Sequence, residues 1–241
     1  MCCGSGAISL ELLNHGFDLD NLIMLDKSSF GLFYKMVGEG SFDLDIWKSY
    51  IDKVPIDKSE IKSFLESLSK TCVDEDEVYK FLLMQSGSFG GKQIWISNNK
   101  FCNTSFRSYW QPTETSNRKS PVNPTQPSIQ ELDIRVRKIV ENCTGLKAIH
   151  SDIFDILCYD INKSDIVYID PPYKNTTKYG YNFDLNVFID SLKSKVDIPI
   201  LVSEKEKLDG SKDAVKLNFN GKKGGISGVK TTKQEEWLNI F

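Results

Sequence analysis

Apolar residues recur along the chain in two rhythms, and the switch between them marks the elements. Short continuous runs at Leu22–Leu25, Asp165–Ile169 and Ile198–Val202 read as strands buried on both faces. A shorter run sits at Ala148-Ile149, and Ile94-Trp95-Ile96 has the look of a small hairpin strand whose side chains pack locally. Longer stretches with apolar residues every three or four positions predict helices. They cover Ala7–Leu13, Ser28–Val37, Phe42–Val54, Asp57–Ser69, Asp74–Gln85, Ser128–Cys143 and Asp184–Ser194. His15-Gly16 is expected to close the first, and Pro55 to separate the third from the fourth. Ala214–Phe219 and Glu235–Phe241 predict two terminal strands paired antiparallel across a flexible Gly221–Gly225 connection.

Strand and helix alternate at both ends of the chain but not in its middle. That pattern predicts an α/β protein with a doubly wound, mostly parallel sheet. Residues 1–40 and 128–241 would form this domain, and 41–127 an inserted lobe of helices and loops. No internal repeat is present.

Chemistry is expected where a buried strand ends, because ligands of open α/β sheets bind beyond the carboxyl ends of strands. Asp170-Pro171-Pro172-Tyr173 follows such a run directly. Two prolines fix φ and offer carbonyl oxygens without competing N–H groups, beside a carboxylate and an aromatic face. This set suits a planar amino group, although a strand ending in Asp-Pro is also a common turn. Near the start, Cys3-Gly4-Ser5-Gly6 leads into the first helix, where glycines allow a tight turn and close approach to a ligand. Asp26 follows the second strand, twenty positions after Gly6, where a nucleoside-binding βαβ unit places the acid that holds ribose hydroxyls. Ser9 stands at the third glycine position of a dinucleotide fingerprint, which argues against a nicotinamide enzyme and fits a nucleoside lacking a pyrophosphate.

A chain of 241 residues, 40% of them hydrophobic, can bury a substantial core. No apolar stretch approaches membrane-spanning length and the start lacks a signal-peptide pattern, so a cytoplasmic protein with no membrane partner is expected. Six cysteines without Cys-x-x-Cys spacing and two histidines predict buried thiols, no metal and no disulfide framework. Cys3 itself reads as a small packing residue more readily than as a nucleophile.

Net charge is −3, yet the distribution is uneven. Between Ser86 and Ser128 a single acid, Glu114, faces Lys92, Lys100, Arg107, Arg118 and Lys119, just after the acidic run Asp74–Glu77. The same segment carries Phe89, Trp95, Phe101, Phe106, Tyr109 and Trp110 among amides and hydroxyls. Basic, aromatic and amide groups together suit contact with phosphates and a wedge near an extruded base. Lys92, Arg107, Tyr109, Trp110, Arg118 and Lys119 are therefore the candidate DNA contacts, while Trp95 and Phe101 are expected to pack locally.

Cys-Gly-Ser-Gly, Asp26 and Asp-Pro-Pro-Tyr, in that order, resemble the Dam-type adenine DNA methyltransferases of bacteria and their phages. The resemblance extends to His150–Phe154, Val202-Ser203-Glu204 and Glu235–Leu238, and is weakest in the middle. It implies an S-adenosylmethionine-dependent methyltransferase fold, with the cofactor held by Cys3, Gly4, Ser5, Gly6, Asp26, Asp152, Ile153 and Asp170. It likewise implies that Asp170, Pro171, Pro172 and Tyr173 receive a flipped adenine of double-stranded DNA. The enzyme would be monomeric, would act in a bacterial or phage-infected cell, and could belong to a restriction-modification pair. Members of this family usually begin upstream of the glycine turn, with a lysine-containing segment and a full strand. Here Met1 stands three residues before Gly4, so the first strand is expected to be a stub and the chain a shortened copy or one whose start lies upstream. Three alternatives stay open: methylation of another amino group, a non-catalytic DNA-binding remnant, and a nuclease, the last disfavoured by the lack of a metal-binding acidic cluster.

Overall fold

The computed structural model describes residues 1–172, 180–181, 184–217, 222–224, 230–233 and 236–241. The chain is mixed α/β. Its elements are α1 (Ala7–Asn14), β1 (Ile23–Asp26), α2 (Ser29–Gly38), α3 (Leu44–Asp52), α4 (Ile61–Leu68), α5 (Glu77–Gly87), β2 (Trp95–Ser97), β3 (Lys100–Cys102), α6 (Ile129–Cys143), β4 (Lys147–His150), β5 (Val167–Ile169), α7 (Leu185–Lys195), β6 (Ile200–Glu204), β7 (Asp213–Leu217), β8 (Lys222–Gly224), β9 (Lys230–Lys233) and β10 (Glu236–Ile240). It divides into two compact units, Gly4–His150 and Met1–Cys3 with Ser151–Phe241.

In the Gly4–His150 unit, β1 and β4 pair in parallel, with Asp26 opposite His150 at their carboxyl ends. Helix α2 packs on both strands. It presents Gly31 and Gly38 to backbone, where an added Cβ would lie 2.0 Å from the Asp26 carbonyl oxygen and 2.0 Å from that of Leu146. Two glycines seven residues apart on one helix face thus set how closely α2 approaches the strands. Helix α5 is the centre of this unit, with Val78, Phe81, Leu83 and Met84 fully buried. The acidic run at its start is structural: Asp74 pairs with the buried Lys80 at 2.5 Å, Asp76 accepts from the Tyr50 hydroxyl at 2.7 Å and Glu77 accepts from Ser29 at 2.7 Å. The Lys80 hydrogen bond holds the Asp74 carboxyl below its ordinary value, and burial followed by Asp76 pushes the Tyr50 phenol up. Trp47 is also fully buried and donates its indole N–H to Asp133 at 2.9 Å, tying α3 to α6.

The other unit holds a four-stranded sheet in the order β5-β6-β10-β7. Strands β5 and β6 are parallel, whereas β10 runs antiparallel to both β6 and β7. This corrects the expectation of a mostly parallel sheet: only one of its three pairings is parallel, because the terminal strands return without a helical crossover. The expected antiparallel pairing of the two terminal strands is present as β7 and β10. The connection between them, expected to be flexible over Gly221–Gly225, contains the paired strands β8 and β9; its glycines leave no strand signal in the sequence. Met1 lies alongside β5, its nitrogen donating to the Tyr168 carbonyl oxygen at 2.5 Å and its carbonyl accepting from Asp170 N–H at 3.3 Å. Residues 1–3 form no strand of this sheet, and the expected first-strand stub amounts to these two backbone bonds.

The cysteine expectation needs correcting. Of the six cysteines only Cys143 is buried, while Cys72 and Cys158 are exposed. Small size permits burial without requiring it. Among the described residues no helix is long and apolar enough to cross a membrane.

Asn239 of β10 has no exposed surface and its amide joins three backbone groups, accepting from Leu208 N–H at 2.7 Å and donating to the carbonyls of Glu206 at 3.2 Å and Val202 at 3.5 Å. Asn239→Ala would strand these buried groups and is expected to cost about 2–4 kcal/mol, read as a lowered urea midpoint with an unchanged slope.

Candidate functional site

The glycine turn is built in the Gly4–His150 unit. Gly4 and Gly6 have φ of 48° and 74°, and Gly6 caps α1 in the left-handed conformation. At Gly6 a Cβ would lie 2.3 Å from the Tyr34 hydroxyl oxygen, and that hydroxyl donates to the Ser5 carbonyl at 2.6 Å. Glycine is therefore required at position 6 by the protein's own packing. Gly4 differs, because nothing lies within 4 Å of where its Cβ would be. Ser5 is exposed.

Asp26 terminates β1 and is 9% exposed. Its Oδ2 accepts from Gly4 N–H at 2.8 Å, while Oδ1 accepts from the Ser28 N–H at 2.8 Å and the Ser28 hydroxyl at 2.5 Å. Ser28 in turn caps α2 by accepting from Phe30 N–H. Asp26 thus ties strand end, glycine turn and helix start together. A carboxylate offers roughly four acceptor positions, and these bonds use three, leaving one for a ligand hydroxyl. The sequence reading placed Asp26 but missed Ser28 and Tyr34. Asp-x-Ser directly before a helix is a capping pattern that marks Ser28; nothing in the sequence marks Tyr34.

The second group of predicted residues lies in the other unit. Asp170 is the first residue beyond β5 and is exposed, Pro171 is buried behind it, and Pro172 is half-buried. Tyr173 lies outside the described residues. Tyr168, two positions earlier, shares a sheet face with Asp170 by strand alternation. Burial first, then the carboxylates of Asp170 and Glu236, push its phenol above the ordinary value, against a lowering by its hydrogen bond with Ser203. Asp152 caps a short helical turn over Ile153–Cys158 by accepting from Phe154 N–H at 3.1 Å, and Ile153 is buried. Cys3 is half-buried.

The basic segment forms loops around the β2–β3 hairpin. Its turn places Asn98 and Asn99 at φ of 50° and 59°, the left-handed region asparagine tolerates. Phe101 is buried and Trp95 half-buried, as expected of local packing. Backbone bridges join Ser88 to Phe106 and Trp110 to Val122. Lys92, Arg118 and Lys119 are exposed, Tyr109 is half-buried and Trp110 is 37% exposed. Arg107 is half-buried and donates to the Gln126 side chain. Among the described residues no group of three or more His, Cys, Asp or Glu could hold a metal.

Neither a protein-family model nor a curated protein sequence matches the chain.

Gly6→Ala is expected to destabilise the protein by about 1–3 kcal/mol, from the left-handed backbone and the collision with Tyr34. Gly4→Ala should cost only the backbone term, about 1 kcal/mol. Thermal melts of the two variants check the difference.

Proposed function

We propose that the chain is an adenine-N6 DNA methyltransferase of the Dam type, with S-adenosylmethionine as methyl donor and double-stranded DNA as substrate. The observation that carries the reading is Asp170: an exposed carboxylate at the carboxyl end of a parallel-paired strand, followed by a proline buried in the fold. A doubly wound sheet belongs to the same proposal, supported by the parallel pairings β1–β4 and β5–β6. So do a monomeric state and a cytoplasmic setting.

The residues present fit the cofactor. Open space at Gly4 lets a ligand approach the backbone, and Asp26 keeps one acceptor position for a ribose hydroxyl. Gly4, Ser5, Gly6 and Asp26 would hold the nucleoside and amino-acid parts, with Asp152 and Ile153 against the adenine ring. When bound, the cofactor supplies an electrophilic methyl group on a sulfonium.

Adenine's exocyclic amine is a weak nucleophile because its lone pair is delocalised into the ring. Asp170 and the Pro171 carbonyl accept its two hydrogens, which draws the nitrogen toward a tetrahedral shape and localises the lone pair. Proline at 171 and 172 keeps these acceptors fixed, and positioning of this kind can supply roughly 7–11 kcal/mol. Tyr173 stacks on the extruded base, whose unpairing costs about a few kcal/mol. One proton leaves the amine on transfer, to Asp170 or water. Exposed Lys92, Arg118 and Lys119, with Trp110 and Tyr109 nearby in sequence, support phosphate and groove contact by the loops around the hairpin.

Two measurements test the assignment. Purified chain carrying Asp170→Ala or Tyr173→Ala should lose methyl transfer to duplex DNA by at least about a hundredfold while keeping its calorimetric affinity for S-adenosylmethionine. Loss of that affinity would place these residues in the wrong pocket. Arg118→Ala with Lys119→Ala should weaken DNA binding regardless of sequence and reduce the salt slope by about two. An unaltered slope would remove both residues from the DNA surface.

A further inference from the structure

A cleft of about 630 Å³ opens within the Gly4–His150 unit, between the α3–α4 connection and the start of α6. Its size is that of a small-molecule site, and neither Asp26 nor Asp170 lines it. Ile51, Val54, Ile56, Ile61, Ile129 and Ile134 give it an aliphatic wall, of which Ile56 is fully exposed. Thr125 belongs to the same lining and is only 3% exposed. Its hydroxyl forms no hydrogen bond to any described residue, whereas no fully enclosed side-chain oxygen or nitrogen among the described residues lacks a partner. The Thr125 hydroxyl is therefore open to the cleft and keeps its bonding capacity for whatever enters.

The start of α6 adds backbone donors. Ser128 caps this 15-residue helix by accepting from Glu131 N–H at 3.3 Å. That leaves the N–H groups of Ile129 and Gln130, both lining residues, without an intrahelical partner at the positive end of the helix. Charge selects the sign of the ligand. Two acids line the cleft and both are already paired: Asp52 with Lys48 at 2.6 Å, and Asp133 with Arg137 at 3.0 Å and the Trp47 indole N–H at 2.9 Å. Lys58 also lines it and makes no ion pair among the described residues.

We propose that this cleft binds a small amphipathic carboxylate, its aliphatic body against the isoleucines and its oxygens received by Thr125, the amino end of α6 and Lys58. A monoanion suits the site better than a phosphate monoester, which carries about −1.5 to −2 charge near neutral pH, because one unpaired cation stands beside two acids. A neutral alcohol fills the aliphatic wall equally well but lacks the charge that strengthens the hydrogen bonds. The site is separate from the proposed methyl transfer and does not rest on it.

The probes are octanoate, octanol and octyl phosphate, titrated into the full chain and followed by amide NMR. Octanoate is expected to shift the Thr125, Ile129 and Gln130 amides saturably, and octanol to bind about tenfold more weakly. Thr125→Val keeps the shape and removes the hydroxyl, so it is expected to weaken octanoate about fivefold, whereas Thr125→Ser retains the unaltered affinity. Lys58→Gln is expected to weaken it roughly twofold to fivefold and to flatten its salt dependence. Equal affinity for octanoate and octanol, tighter binding of octyl phosphate, or shifts that leave Thr125 and α6 unmoved overturns the proposal. Equal loss in Thr125→Val and Thr125→Ser does the same, because it makes the position one of packing alone. The comparison of probes uses the unaltered chain, so it decides the matter even where a variant does not fold.

Discussion

A strand covered on both faces can carry charge only where it ends, and that constraint shapes both units of this protein. Along β1, Met24 and Leu25 are almost wholly buried before Asp26 closes the strand; along β5, Val167 and Ile169 are buried before Asp170. Strand β6 repeats the pattern with Ile200 and Val202 ahead of Ser203 and Glu204. Parallel pairing brings such ends together within each sheet, so acids and hydroxyls collect at the strand ends. The same ends are where backbone N–H groups of the next element need acceptors. Asp26 meets that need for the glycine turn and for α2, which is why its carboxylate is mostly occupied before any ligand arrives.

Much of this was legible in the chain. Continuous apolar runs marked β1, β5 and β6, and helical periodicity marked α2 to α7 to within a few residues, because in each case one face is buried; α1 was marked as well, although none of its residues is buried. Asp26 and Asp170 were legible as strand ends, since each is an acid directly after an apolar run; that Asp26 is largely taken up by Gly4 and Ser28 was not. The sheet topology was less so. Antiparallel return of β10 between β6 and β7 depends on pairing choices that hydrophobic pattern does not encode, and β8 and β9 lie in a glycine- and lysine-rich stretch with no apolar face to betray them.

Interactions between distant positions were invisible. Tyr34 makes Gly6 obligatory for packing, so a glycine that resembles a ligand-binding fingerprint has a second cause that no local motif displays. Gly31 and Gly38 look like weak points in a helix until the carbonyl oxygens of Asp26 and Leu146 are seen against them. Three members of the acidic run at the start of α5 are each committed to a partner within the fold, which the run itself does not display.

The proposed methyl transfer requires Asp170 to act on an adenine amine. Single-molecule sequencing of DNA from cells expressing the chain, alongside cells expressing Asp170→Ala, addresses this most directly. N6-methyladenine at one recurring short sequence with the unaltered chain, and none with the variant, is the predicted result. Equal methylation in both, or no methylated adenine from a folded chain that binds S-adenosylmethionine, would contradict it.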